Sequence, residues 1–534
     1  MNDATPSPND GSRAARPGGT GHAHPWLEAI AVLSGTFMVI LDTTVVNVSL
    51  PQIAGSLSAT VEESTWALTS YLAANAVILP MTGWLSTYFG RKRLMILSII
   101  GFTAASFLCG LAPTLPFLIV CRIIQGATGG VMQPLSQAIM LEAFPPAERG
   151  KAMGFWGLGI IVAPVLGPVL GGWLTDNYSW RWVFYINIPV GIVAVLLNSL
   201  YLFDPAYLKR QVDKIDYWGL SYLAIGIAAL QIALDKGEQS DWFASNLITG
   251  LIVAAVVGLV LLVVRELRVE DPIVDLRVFK ERTFAMGTVL ITLTGFVLFG
   301  SLVLVPVMLQ TLLRYSPLQA GYAMAPRGIG SLIAMPLVGM LIAKVDPRKL
   351  LALGFLIGAW TMFWLGDLNL QAGYWDIFWP QFWQGIALGL LFVPLTTITM
   401  DRIPREQMGN ASSLFNLMRN LGGSAGIAIV ETVLAQSRQA HINIIGSHVD
   451  AYAIQNQQML ANLTSAFIAR GADAATATQR AYASVFGMVQ QQAAMLSFID
   501  GFRLLGISFL VFAPLILLMK KPTHATEHVA VSAE

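Results

Sequence analysis

An all-α, polytopic membrane protein is what this chain predicts, on three observations. It has fourteen apolar stretches of about 20 residues, basic residues that change sides between them, and little charge elsewhere. The stretches cover residues 27–50, 64–86, 94–111, 115–140, 150–174, 182–203, 216–234, 245–264, 284–310, 320–343, 349–366, 376–400, 411–435 and 499–519. At about 1.5 Å rise per residue, each is long enough for a hydrocarbon core about 30 Å thick. With the N-terminus inside, the inner segments carry 22 of the 32 Lys and Arg residues and the outer segments six. A missed or invented helix would scramble that sorting downstream, so it supports both the count and cytoplasmic placement of both termini. Charged residues make up 12% of the chain, about half the roughly 25% of a soluble domain.

The remaining composition excludes several classes. Basic residues sit in short loops and form no continuous patch, which argues against nucleic acid as a partner. The two cysteines, Cys109 and Cys121, fall in adjacent predicted helices and offer neither a disulfide framework nor metal-ligand spacing. Residues 1–26, rich in Pro, Gly, Ser and Ala, read as a disordered cytoplasmic tail without the apolar core of a cleavable signal. The first span then doubles as the insertion signal.

The chain repeats itself. Pro80, Gly83, Leu85, Arg91, Lys92 and Leu94 have an echo 256 residues later in Pro336, Gly339, Leu341, Pro347, Arg348 and Leu350. A second echo pairs Arg122-Ile-Ile-Gln125-Gly126 with Gln381-Phe-Trp-Gln384-Gly385. Two related six-helix halves are the architecture of transporters that rock about a midplane site. The predicted bodies are residues 27–203 and 284–519, joined by two inserted spans within 204–283 and followed by a short cytoplasmic tail, 520–534. Within the second body, residues 436–498 form a long outer segment rich in Ala and Gln. Apolar residues at helical spacing around Ala453, Ile454, Met459, Leu460, Leu463 and Phe467 predict two amphipathic helices standing above the membrane. A passive cap and a docking surface are both open readings of it.

Charge at membrane depth carries the functional argument. A carboxylate there costs about 2.5–3.5 kcal/mol on insertion scales, so Asp42 in the first span calls for an explanation. Burial raises a carboxyl's affinity for a proton and a nearby cation lowers it, so a carboxylate moved between such environments can take up and release protons. Arg122, inside the fourth span and charged in any surroundings, is the cation to modulate it. The rival role for Asp42 is a static hydrogen bond between helices. Glu431 is a second proton-handling candidate, nearer the outer end. Glu142 and Asp401, at cytoplasmic helix ends, read as solvated. Arg327 and Arg419 lie within spans, where each could bind an anionic ligand group or pair with a carboxylate. No span carries a histidine, so proton relay falls to carboxylates, and a membrane redox enzyme is poorly supported for want of histidine ligands to haem. The fifth span holds Gly157, Gly159, Ala163, Pro164, Gly167, Pro168, Gly171 and Gly172, a density of small residues and prolines suited to a helix that must flex or seal.

With these residues in view, the chain resembles the major facilitator superfamily. More narrowly, it resembles the fourteen-helix (6 + 2 + 6) drug–proton antiporters of the EmrB/QacA type, from about residue 27 to 519. Leu41-Asp42-Thr43-Thr44-Val45-Val46-Asn47-Val48-Ser49-Leu50-Pro51 matches that family's first-helix motif, which implies proton coupling at Asp42. Gly83 through Arg93 matches the loop motif that gates the conformational change, carried by Gly83, Gly90, Arg91 and Lys92, although Thr87 replaces the motif's usual aspartate. Arg122-Ile-Ile-Gln125-Gly126 matches the fourth-helix motif, whose arginine serves proton transfer. The run from Gly159 to Gly172, with Pro164, Gly167, Pro168 and Gly171, is similar to the antiporter motif of exporters. Trp180-Arg181-Trp182-Val183-Phe184-Tyr185-Ile186-Asn187-Ile188-Pro189-Val190-Gly191 is also typical of the group. Similarity at Leu230-Gln231-Ile232, Asp241-Trp242-Phe243, Val274-Asp275-Leu276 and Pro394-Leu395-Thr396-Thr397-Ile398-Thr399 implies an inner-membrane pump. Such a pump works with a periplasmic adaptor and an outer-membrane channel.

The expectation is therefore a secondary exporter, not an enzyme, that expels bulky apolar or amphipathic compounds in exchange for protons. No phosphate loop of the GxxxxGK[ST] kind occurs, so the proton gradient is the driver and no cofactor or metal is expected. The site should be an apolar, aromatic cavity between the halves, with Phe37, Trp66, Tyr71, Gln125, Trp156, Phe296 and Phe392 as lining candidates. A proton-coupled importer on the same fold is the nearest rival. A receptor or assembly protein using residues 436–498 is the more distant one.

Overall fold

The computed structural model describes residues 25–145, 148–204, 216–269, 272–449 and 453–520. The predicted tails fall almost wholly outside these residues. The first group of helices comprises α1 (Pro25–Val48), α2 (Leu50–Ser56), α3 (Val61–Ser64), α4 (Trp66–Ile78), α5 (Thr82–Phe89), α6 (Arg91–Gly110), α7 (Leu115–Gly129), α8 (Met132–Ala143), α9 (Arg149–Asn177), α10 (Trp182–Tyr185) and α11 (Asn187–Tyr201). The inserted pair is α12 (Tyr217–Lys236) and α13 (Asn246–Glu266). The second group comprises α14 (Arg282–Thr311), α15 (Pro317–Leu341), α16 (Pro347–Leu365), α17 (Tyr374–Met400), α18 (Met408–His448), α19 (Ile454–Ala469) and α20 (Ala474–Phe512). No strand occurs among the described residues.

Twelve helices of the described residues are long and apolar enough to cross a membrane. The two remaining predicted spans are helical but fall outside those twelve. Segment 64–86 is divided into α4 and α5 by a 3-10 turn, Leu79–Met81, centred on Pro80, whose ring removes a backbone donor. Segment 411–435 lies inside the 41-residue α18. The paired prolines of α9 do not interrupt it, and the helix runs unbroken for 29 residues. Gly90 ends α5 with φ at 83°, the left-handed region that a residue without Cβ enters freely, and the chain turns there into α6.

Residues 436–498 differ from expectation. The first of them continue α18, the last belong to the 39-residue α20, and α19 packs along α20. At about 1.5 Å per residue α20 is roughly 58 Å long, nearly twice a hydrocarbon core. The outer segment is thus the continuations of α18 and α20 with α19 between them.

The two groups meet along the end that bears the basic loops. There α9 packs on α15 and α17, while α5 and α8 pack on α18. The approach is close: a Cβ on Gly154 would lie 2.8 Å from the Met335 carbonyl, and one on Gly83 would lie 2.7 Å from the Asn410 backbone. Ser412 donates across the seam to the Pro134 carbonyl at 2.8 Å and to Gln137 Oε1 at 2.9 Å. At the opposite end α12 bridges the groups. Asp235 accepts from Thr69 of α4, Gln231 pairs with Ser424 at 2.9 Å, and Trp242 Nε1 donates to Thr432 at 2.9 Å, both partners on α18.

The start of α12 is capped by Asp216, which accepts from the Gly219 N–H at 3.1 Å and from Arg265 at 3.0 Å. Burial pushes its carboxyl up, but the Arg265 and Gly219 hydrogen bonds outweigh that and hold it below the usual value of 3.8. A lowered folded value means this contribution is present above about pH 4 and is lost as pH falls through the folded value. Asp216→Ala should lower stability by about 1 kcal/mol at pH 7, and by less at pH 3, in chemical unfolding of the purified protein.

Candidate functional site

The first half buries an ion pair. Asp42, on α1, and Arg122, on α7, are 1% and 0% exposed, and Arg122 Nη1 donates to Asp42 Oδ2 at 2.6 Å. Asp42 Oδ1 accepts from Gln125 Nε2 at 3.0 Å and from Asn187 Nδ2 at 2.8 Å. Arg122 also donates through Nε to the Ala67 carbonyl at 3.0 Å and through Nη1 to Gln125 Oε1 at 2.7 Å. Its guanidinium lies 4.1 Å from the centre of the Tyr71 ring and 5.7 Å from that of Phe184. Asn187 donates in addition to Ser106 Oγ at 3.0 Å, tying α6 to the cluster.

Each contact follows from helix geometry. Arg122 and Gln125 are three residues apart on α7 and therefore share a face. That face can reach α1 because Gly126, one residue on, admits α4 closely: a Cβ there would sit 2.3 Å from the Tyr71 carbonyl. Desolvating two charges is offset when their remaining donors and acceptors are also satisfied. The Gln125 and Asn187 amides do this for Asp42 and the Ala67 carbonyl for Arg122 Nε, while Arg122 Nη2 is buried without a hydrogen-bond partner among the described residues. The cluster thus joins α1, α4, α7 and α11 through one buried ion pair and its amide partners.

The structure brings Asp42, Arg122, Gln125 and Tyr71 together and leaves Glu431 elsewhere. Glu431 sits on α18, close enough to Glu238 and Asp235 to feel their charge, at the end bridged by α12. Tyr71, 1% exposed, packs its ring against the Arg122 guanidinium in the ion-pair cluster. Trp156 and Phe392 stack across the two halves with ring centres 5.8 Å apart, and Trp156 Nε1 donates to Ser136 at 2.9 Å. Trp66 lies beneath Lys236 of α12, 5.5 Å from its Nζ. Phe37 is partly buried in a satellite cluster of the first half. Phe296 presents its backbone carbonyl to Gly426, which a Cβ would approach to 2.2 Å. The seven lining candidates therefore fall in five places: Tyr71 with Gln125 at the ion pair, Trp156 with Phe392 across the halves, and Phe37, Trp66 and Phe296 each apart.

Among the gating candidates, Arg91 forms a two-bond ion pair with Glu142 at 2.5 and 2.7 Å. Glu142 is 6% exposed, so the expected solvated role is corrected: α8 carries it inward to a cation. The Lys92 N–H donates to Asp204 at 2.9 Å and its Nζ to the Ser199 carbonyl at 2.6 Å. Thr87 donates to the Gly83 carbonyl of its own helix at 3.2 Å, and Gly83 itself abuts Asn410. In α9, a Cβ on Gly171 would come 2.8 Å from the Val45 carbonyl, and Gly167 faces Thr44 as closely, so this stripe packs on α1. Pro164 and Pro168 lie in the same stretch of α9. Residues that sequence reasoning passed over are Asn187, Ser106 and the Ala67 carbonyl. Asn187 was visible as a polar side chain in an apolar run, but nothing in the spacing pointed it at Asp42.

Two helical groups with a repeated core and buried charge define a multi-pass membrane protein of the secondary-transporter class. The chain belongs to the Major Facilitator Superfamily, whose sequence profile matches residues 32–427. It is 38% identical over 507 residues to the fatty acid resistance protein FarB of Neisseria gonorrhoeae, covering 95% of this chain and 98% of that one. It is 41% identical over 441 residues to the multidrug export protein EmrB of Escherichia coli K12, covering 81% and 85%. Among solved structures, the proton:xylose symporter XylE superposes with a TM-score of 0.59 at 15% identity, covering 93% of this chain and 96% of that one. The human organic anion transporter MFSD10 (TETRAN) gives 0.59 at 12% identity, covering 91% and 99%. Both describe the fold alone.

Proposed function

We propose that this protein is a proton-coupled exporter of bulky amphipathic compounds, with Asp42 as the proton-carrying group. The observation that carries the reading is the fully buried Asp42–Arg122 pair, a titratable group set against a fixed cation. Relatives named for multidrug export and fatty acid resistance support the direction of transport. In one state Arg122 is paired with Asp42. When the halves rock and the outer path opens, a proton neutralises Asp42, and Arg122 falls back on Gln125 and the Ala67 carbonyl. A proton entering under 100 mV supplies about 2.3 kcal/mol before any pH gradient. That drive needs no cofactor.

The same reading places the fourteen spans as 6 + 2 + 6 in the inner membrane with both termini cytoplasmic. The long α18 and α20 then project outward, where a periplasmic adaptor and an outer-membrane channel would complete a three-part pump. Gly83, Gly90, Arg91 and Lys92 serve the cytoplasmic gate, and α9 with its glycines and prolines seals against α1. Trp156 and Phe392, stacked across the halves, are the best placed of the aromatic candidates to meet substrate.

The test uses inverted vesicles with an imposed pH gradient. Adding an amphipathic compound should discharge the gradient with wild-type protein and leave it intact with Asp42→Asn at equal expression. Discharge by the Asn variant at the wild-type rate would remove Asp42 from the proton path.

A further inference from the structure

The second half carries a polar layer that proton coupling does not use. The 259-residue interval relating Arg122 to Gln381 and Gln125 to Gln384 also relates Asp42 to Ser301. The helix contacts repeat as well. A Cβ on Gly126 would meet the Tyr71 carbonyl at 2.3 Å, and one on Gly385 would meet the Arg327 carbonyl at 2.1 Å. Arg327 therefore stands where the first half has Tyr71, and the cation has moved from α17 to the facing helix α15.

Around that cation the donors of the first half recur. Ser301 Oγ accepts from Arg327 Nη2 at 3.1 Å and from Gln384 Nε2 at 3.2 Å, and Gln384 Oε1 accepts from the same guanidinium. Ser301, Arg327, Gln381 and Gln384 are all at most 5% exposed. What is missing is the acid. Arg327 forms no ion pair among the described residues. Its Nε and Nη1, and both amide atoms of Gln381, are buried without a hydrogen-bond partner among those residues. Gln381 lies one turn before Gly385, on the face of α17 that abuts α15. A cation and an amide, both incompletely satisfied, thus occupy the layer that in the first half is closed by a carboxylate.

We infer that Arg327, Gln381, Gln384 and Ser301 form a subsite for the carboxylate of an exported amphipath, which takes the place that Asp42 fills in the first half. The assignment rests on the exporter reading and names the substrate class. A carboxylate is the group that closes the same layer in the first half, and one of them neutralises Arg327. Access follows the seam between halves, because α15, which carries Arg327, also carries Met335 and Gly339 against α9. The layer is enclosed in the present conformation and opens as that seam parts.

The experiment measures equilibrium binding of radiolabelled dodecanoate to the full-length protein in nanodiscs at pH 8, with no gradient, alongside neutral dodecanol. Wild type should bind the carboxylate at least tenfold more tightly than the alcohol. Arg327→Gln should raise the dodecanoate Kd about tenfold, equivalent to about 1.4 kcal/mol, and leave the alcohol unchanged. Gln381→Leu, which keeps the cation and the volume, should weaken dodecanoate severalfold and carries the test if Arg327→Gln does not fold. The inference is overturned if wild type shows no preference for the carboxylate, if dodecanoate binding survives these substitutions, or if acid and alcohol weaken together. Because no proton gradient is present, these outcomes are independent of whether Asp42→Asn stops coupled transport.

Discussion

Arg122→Ala is expected to lower the unfolding free energy by about 3–5 kcal/mol and to abolish compound-driven proton movement. Removing the guanidinium leaves Asp42 buried with its Oδ2 deprived of a donor, and the Ala67 carbonyl loses its bond as well. The size of the effect comes from the uncompensated carboxylate rather than from the net worth of the pair. That distinction sets the control. Asp42→Asn combined with Arg122→Gln replaces both charges with amides of similar shape and should recover most of the stability. It should recover none of the transport, because the cluster no longer holds a carboxylate to carry the proton. Thermal unfolding of the purified variants and the vesicle assay check the two halves of the claim separately. A double variant as unstable as Arg122→Ala would mean that the arginine acts through packing against Tyr71 and Phe184.

How far this was legible in the sequence depends on the kind of signal. Helical character and membrane residence follow from apolar runs of sufficient length, a property local to each segment. The Asp42 and Arg122 pairing was legible because charge at membrane depth is rare, so two such residues in one half had few other partners. Partners chosen by three-dimensional proximity were not legible. Glu142 looked like one more acid at a helix end, yet α8 turns it into the bundle to meet Arg91. The repeat showed that Arg122 and Gln125 recur as Gln381 and Gln384. Only the packing of α15 on α17 showed that Arg327 takes over the cation's place. Helices in the outer segment were legible from their spacing. That two of them continue α18 and α20 without a break was not, because low charge and helical spacing carry no mark of where a span ends and its continuation begins.

Gly339→Val should trap the protein with the seam at the basic-loop end parted and should stop transport. A Cβ on Gly339 would lie 2.7 Å from the Gly150 carbonyl and 3.1 Å from the Lys151 Cα, while one on Gly150 would lie 2.9 Å from the Gly339 carbonyl. The obstruction is backbone on both sides, so no rotamer change relieves it and the helices themselves must separate. Overpacking of this kind costs about 1–3 kcal/mol, and it is charged only to the conformation in which α9 and α15 touch. A bias of that size shifts a two-state equilibrium roughly 5- to 150-fold, enough to empty the closed-seam state if the two states lie close in free energy. Ser412 reports the change, since it is buried at the seam and bonded across it to Gln137 and Pro134. In a background with Cys109 and Cys121 replaced by Ala, Ser412→Cys should resist a membrane-impermeant maleimide and become reactive when Gly339→Val is added. Equal protection in both, with transport retained, would show that closure of this seam is not part of the cycle.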